Sequence, residues 1–151
     1  MSSFDLAAFK AAFAADKAAA LSEETFQGLE KGGAEGQWSV WRCTYDYASD
    51  NESLDATKEI VNSFMNNTKP IAEKVFGVML VLEPGLEIEG IWIVNGADPE
   101  DSLYANTEDT SWFSWSQLGP SMMDVVRKEI VDLMTASSDY KGKTVSDIQV
   151  M

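Results

Sequence analysis

The chain has 151 residues and a mass of 16.6 kDa, which suits one domain around one core, since cores grow well past ~100 residues before chains divide. Hydrophobic residues at 45%, charged residues at 24%, and a complement of seven Phe, five Trp and four Tyr exclude disorder and low-complexity arrays, because they supply the apolar surface that offsets ordering entropy. Eleven Lys and Arg against 25 Asp and Glu leave a formal charge of -14, removing the phosphate neutralisation on which nucleic-acid affinity rests, so no direct nucleic-acid partner is expected.

Leu6, Phe9 and Phe13 fall at i, i+3 and i+7 in an alanine-rich run, which predicts a first helix over about 4 to 19. Ser22 offers an N-cap, Glu23 and Glu24 suit the positive end of a short second helix, and Phe26 and Leu29 anchor it until Gly32-Gly33 stops it. From Gln37 the period becomes two. Trp41, Cys43, Tyr45 and Tyr47 share one face and Trp38, Val40, Arg42 and Thr44 the other, a strand with an aromatic side. Ser49 to Asp55 has loop chemistry, and Asp55 is the predicted cap of a helix whose apolar face is Ile60, Val61, Phe64 and Met65, ended by Pro70.

Val75 to Leu82 is apolar on both faces, the pattern of a central strand covered on two sides. Glu83-Pro84-Gly85-Leu86 then reads as a turn into Leu86 to Val94, which predicts a hairpin of two adjacent central strands. Asn95-Gly96 opens an acidic loop containing Asp98-Pro-Glu-Asp101. Ser111 to Gln117 has the aromatic richness of a further strand. A last helix is predicted from near Pro120, with Met123, Val126, Ile130, Leu133 and Met134 as its apolar stripe and Arg127 and Lys128 opposite. Lys143 to Val150 is assigned to an edge strand. Helices interleaved with hairpin strands, and no fixed repeat, indicate a single α+β domain over 1–151: an antiparallel sheet of about five strands packed with helices.

No apolar run approaches the ~18 residues of a membrane span, so no membrane partner is expected. The N-terminus lacks the basic flank and apolar run of a signal peptide, and the single Cys43 cannot form an internal disulfide; both predict a reducing, cytoplasmic setting. The absence of histidine removes His-dependent triads, imidazole acid-base catalysis and most transition-metal sites. Cys43, flanked at strand spacing by Trp41 and Tyr45, reads as a core thiol rather than a nucleophile. Because no phosphate-binding glycine loop, nucleophile elbow or dinucleotide fingerprint occurs, no cofactor, metal or small-molecule substrate is expected, and the reading is not an enzyme. The sequence leaves one alternative, a carbohydrate-binding or carboxylate-dependent glycan-acting domain that would stack sugars on exposed Trp38, Trp112 and Trp115.

Charge is distributed unevenly. Between Val75 and Val126 there are nine acids and no Lys or Arg, a stretch toward which a basic protein surface would be steered. The partner-contact candidates are whichever of Trp38, Tyr45, Trp112 and Trp115 are exposed, since aromatics dominate binding hot spots; Trp41 and Trp92 are assigned to the core.

Gly36-Gln-Trp-Ser-Val-Trp41, Asn62-Ser-Phe-Met65, Val75-Phe-Gly-Val-Met-Leu80, Gly90-Ile-Trp-Ile-Val94 and Phe113-Ser-Trp-Ser-Gln-Leu-Gly-Pro120 together resemble the C-terminal domain of the gamma subunit of eukaryotic translation elongation factor 1. The resemblance runs from about Phe4 to Lys141-Gly-Lys143. It implies a non-catalytic scaffold or docking module of the guanine nucleotide exchange complex, with protein partners from that complex. It also implies a chain carrying this domain alone, because 151 residues leave no room for the glutathione-transferase-like domain and Lys-rich linker that precede it in the family.

Overall fold

The computed structural model describes residues 4–99, 103 and 108–151. Among them the chain order is α1 (Leu6–Ala15), α2 (Lys17–Ala20), α3 (Glu23–Ala34), β1 (Trp38–Tyr45), α4 (Leu54–Thr68), β2 (Val75–Glu83), β3 (Glu87–Asn95), β4 (Phe113–Leu118), α5 (Asp124–Met134), β5 (Asp139–Tyr140) and β6 (Lys143–Val150). Glu100 and Asp101 of the acidic loop lie outside the described residues.

All strand pairs are antiparallel, in one sheet of order β4-β1-β3-β2-β6-β5. The β2–β3 hairpin occupies the middle, registered from Val75 opposite Val94 to Leu82 opposite Glu87, as the two-sided apolar runs require. Among the described residues the sheet has six strands, consistent with the expected sheet of about five; the sixth is the two-residue β5. β6 is not the sheet's edge along its whole length, because β5 pairs outside it at Lys143 and Thr144.

Alternation along β2 and β3 divides the core into two layers. Phe76, Val78, Leu80, Ile91 and Ile93 face α1, α3 and α5 with Phe9, Phe13, Phe26, Leu29, Ile130 and Leu133. Val75, Met79, Val81, Ile88, Trp92 and Val94 face the other way, where Val61, Phe64 and Met65 of α4 cover them. Trp92 lies directly over Gly77: a Cβ there would sit 2.2 Å from the ring, so glycine is required by the close approach.

Several element ends differ from the sequence reading. The first helix breaks at Asp16, whose extended backbone ends α1 while its carboxylate caps α2 by accepting from Ala19 N at 3.2 Å. Ser53, not Asp55, caps α4, accepting from Ala56 N at 3.1 Å, and Asp55 sits in the first turn, where an acid suits the dipole. The last helix begins at Asp124 rather than near Pro120. The preceding residues pack on α3 instead: Pro120 lies against Gly33, Met122 is buried, and Met122 N donates to Glu30 at 2.6 Å. Met123 is consequently 62% exposed and is no part of the stripe. Arg127 is not opposite the packed face; it bonds Glu23 and lies 5.3 Å from the Phe26 ring centre. Trp41 is only half-buried, its indole N–H donating to Ser39 Oγ at 2.8 Å, whereas Trp92 is fully enclosed.

Candidate functional site

β1 ends at Tyr45, and the chain turns through Asp46 and Tyr47 into a 3-10 turn over Ala48–Asp50. A second 3-10 turn, Glu108–Trp112, leads into β4. The two are fastened together. Asp46 N donates to Trp112 O at 3.0 Å, and Ser114 Oγ donates to the Asp46 carboxylate. The second turn is also held to α4, since buried Asp109 accepts from Ser63 Oγ at 3.0 Å and from Asn67 Nδ2 at 3.1 Å.

These connections leave a surface concavity of about 300 Å³ lined by Tyr45, Tyr47, Asp50 and Trp112. Tyr47 is 49% and Trp112 44% exposed, the two largest aromatic exposures among the described residues. Tyr45 is the least exposed of the three rings. It opposes Phe113 in the β1–β4 register with ring centres 5.3 Å apart, and meets Tyr47 at 5.9 Å with the ring planes inclined by 73°. Burial, followed by the nearby Asp50 and Tyr47, pushes the Tyr45 phenol above its ordinary pKa, so it stays neutral at physiological pH. The arrangement suits a cation with apolar surface: ring faces carry negative quadrupole charge and a carboxylate stands at the lip.

The four contact candidates do not gather on one surface. Tyr45 and Trp112 share the concavity. Trp115 is half-buried on the α4 side, its indole N–H donating to Thr110 O at 3.0 Å. Trp38 packs on the opposite face, edge-on to Phe4 at 5.2 Å and against Gly32, where it lines a separate concavity with Glu73 and Lys74. The sugar-stacking platform of Trp38, Trp112 and Trp115 is therefore corrected: Trp38 packs in the layer opposite that of Trp115, and only Trp112 of the three is exposed. Tyr47, Asp46 and Asp50 were not among the candidates. The available signal was the continuation of the Trp41, Cys43, Tyr45, Tyr47 alternation into a loop, where a strand-face aromatic emerges from the sheet.

Cys43 is buried with its Sγ 3.7 Å from Met79 Sδ, and desolvation drives its thiol pKa far up, so it is no nucleophile. Among the described residues, no three His, Cys, Asp or Glu side chains converge as metal ligands, and no helix is long and apolar enough to cross a membrane.

Residues 1–98 match the model of the elongation factor 1 gamma conserved domain. The chain belongs to this family. The match takes in α1 to β3, including Tyr45, Tyr47 and Asp50; the Phe113–Pro120 and Lys141–Lys143 pieces of the resemblance lie beyond it. Similar family proteins include elongation factor 1-gamma 3 of Oryza sativa subsp. japonica, 25% identical over 113 residues that cover 73% of this chain and 27% of that protein. Elongation factor 1-gamma 2 of the same plant is 26% identical over the same coverage, and elongation factor 1-gamma of Prunus avium is 24% identical, covering 73% of this chain and 26% of its own length. The chain thus spans about a quarter of the length of these relatives.

Proposed function

We propose that this chain is a non-catalytic docking module of the cytoplasmic elongation factor 1 complex, which binds a basic surface of a protein partner through Tyr45, Tyr47 and Trp112. The observation that carries this reading is the aromatic concavity with Asp50 in its lining and Asp46 at its margin, built from two stretches that hold no base. Residues 43–57 contain Asp46, Asp50, Glu52 and Asp55 without Lys or Arg, and the base-free stretch between Val75 and Val126 supplies Trp112. Acids at the rim raise the encounter rate of a basic partner, while the half-exposed rings supply the desolvated contact. Lack of histidine and the inert Cys43 favour the non-catalytic assignment. Trp38 and Trp115 support the fold rather than the contact, because both are engaged in packing.

Affinity capture from cytosol at ~50 and ~200 mM salt tests this, since an electrostatically steered complex weakens as the Debye length shortens. Components of the elongation factor 1 complex should be retained at low salt, weaken at high salt, and be lost with Trp112→Ala and Tyr47→Ala in a folded protein. Absence of such components at low salt overturns the docking reading. Retention undiminished by both substitutions overturns this surface.

A further inference from the structure

We propose that the Tyr45, Tyr47, Trp112 and Asp50 concavity receives a methylated lysine side chain presented by the protein partner; this deepens the docking reading and rests on it. Among the described lining residues three side chains are aromatic and the fourth is a carboxylate, the composition that binds an alkylated ammonium. The Tyr45 and Tyr47 rings, inclined by 73° with centres 5.9 Å apart, form two steep walls rather than a parallel slot. A planar guanidinium stacks flat on one ring face and can meet the Asp50 carboxylate with its edge, whereas a roughly spherical methylated ammonium can touch several inclined faces at once. Unmodified lysine fits less well. Its compact ammonium is strongly hydrated, and an open site exposes it to competing water. Methyl groups weaken that hydration and add apolar surface to meet the rings.

The Tyr45 wall is held before any ligand arrives. Tyr45 rests on Phe113, which meets Phe64 edge-on at 5.3 Å, and Phe64 packs on enclosed Trp92 at 5.3 Å. Trp112 is tied by its carbonyl to Asp46 N at 3.0 Å. The Tyr45 ring and the Trp112 backbone therefore need little ordering on binding. A peptide-borne cation is favoured over a free quaternary amine because exposed Asp46, Glu52 and Asp55, close in sequence to Tyr47 and Asp50, lie beyond the concavity's described lining, where only a ligand with basic flanks can use them.

The test is titration of the full chain, read by the indole signals, with one basic peptide carrying unmodified, dimethyl- or trimethyl-lysine, and separately with choline. Both methylated peptides should bind about fivefold or more tightly than the unmodified one. Trp112→Ala and Tyr47→Ala should erase that preference, and Trp112→Phe should keep part of it; Asp50→Asn should weaken the methylated peptides. Equal affinity for all three peptides, a preference that survives Trp112→Ala, or choline binding as tightly as the methylated peptides would overturn the proposal. Equal peptide affinities alongside intact salt-sensitive capture would overturn the methyl-lysine assignment alone. A methyl preference without capture of elongation factor 1 components would overturn the docking reading instead.

Discussion

The two faces of the sheet carry similar numbers of aromatic rings but cover them differently. On one face three helices share the work, α3 over β1, α1 over β2, and α5 over β2 and β3, so Phe9, Phe13, Phe26 and Phe76 are all buried. On the other, α4 lies over β2, β3 and β6, and among the described helices none covers β1 and β4 to a comparable extent, while buried Leu103 joins the same layer. Aromatic side chains cover that end instead, in a chain that starts at Trp92, passes through Phe64 and Phe113 to Tyr45, and surfaces at Tyr47. A layer closed by helices has no outlet, whereas a layer closed by its own rings presents some of them to solvent. The proposed binding surface lies where that helical coverage stops.

The sharpest way to break this comparison is at the buried root of the second chain. Phe64→Ala should cost about 3 to 5 kcal/mol in denaturant unfolding, because it opens a cavity beneath Trp92, Phe113 and Trp115. Trp112→Ala, at the exposed end, should cost less than about 0.5 kcal/mol. Equal costs would mean that the surface rings hold the fold and are not spare for binding.

Gly77→Ala should cost about 2 to 3 kcal/mol, since the new methyl overlaps the Trp92 ring in a filled layer. Trp92→Leu in the same chain should recover part of the loss; a strictly additive double-mutant cycle would show that the overlap is not the cause.

The smallest effect belongs to a polar island in the helix-covered face. Arg42 pairs there with Glu89 of β3 and Glu129 of α5, and the buried Tyr140 hydroxyl beside them has no hydrogen-bond partner. Burial pushes its pKa up to about 12; Arg42 opposes the shift, and Glu89, Glu129 and Asp132 add to it. The folded value is raised above the unfolded value near 10, so this contribution is complete below about pH 10 and is lost as pH rises toward about 12. Tyr140→Phe should stabilise the protein by about 1 kcal/mol at neutral pH and flatten the pH 10 to 12 decline seen in thermal unfolding. A destabilised variant with an unchanged decline would show that the hydroxyl is satisfied.

The hairpin, the α+β class and the two-sided burial of Val75 to Leu82 were legible because eight consecutive apolar residues admit few other placements. Ends were less legible wherever two residues compete for one role. Ser53 and Asp55 are both cap formers, and only the chain's path decides between them. Met122 and Met123 are chemically identical, and contact with α3 determines which is buried. The proposed site was half legible. Tyr45 and Trp112 stood out as aromatics near acids, but Tyr47 and Asp50 joined them through the turn that follows β1, and Trp38 left the group because alternation sends it to the opposite face.

The place of β6 in the sheet bears on solubility as well as shape. β2 presents eight consecutive buried residues, and its second edge is covered by β6 alone, from Val78 opposite Val150 to Glu83 opposite Thr144, with Met151 N reaching Gly77 O at 2.9 Å. Stripped of that neighbour, β2 would be a long, uncharged, apolar edge with free backbone donors and acceptors, a template on which other chains could stack. β6 carries Lys143, Asp147 and a Ser146 hydroxyl that donates to Glu83, so the strand that ends the apolar sheet is a polar one. It shields the molecule from copies of itself.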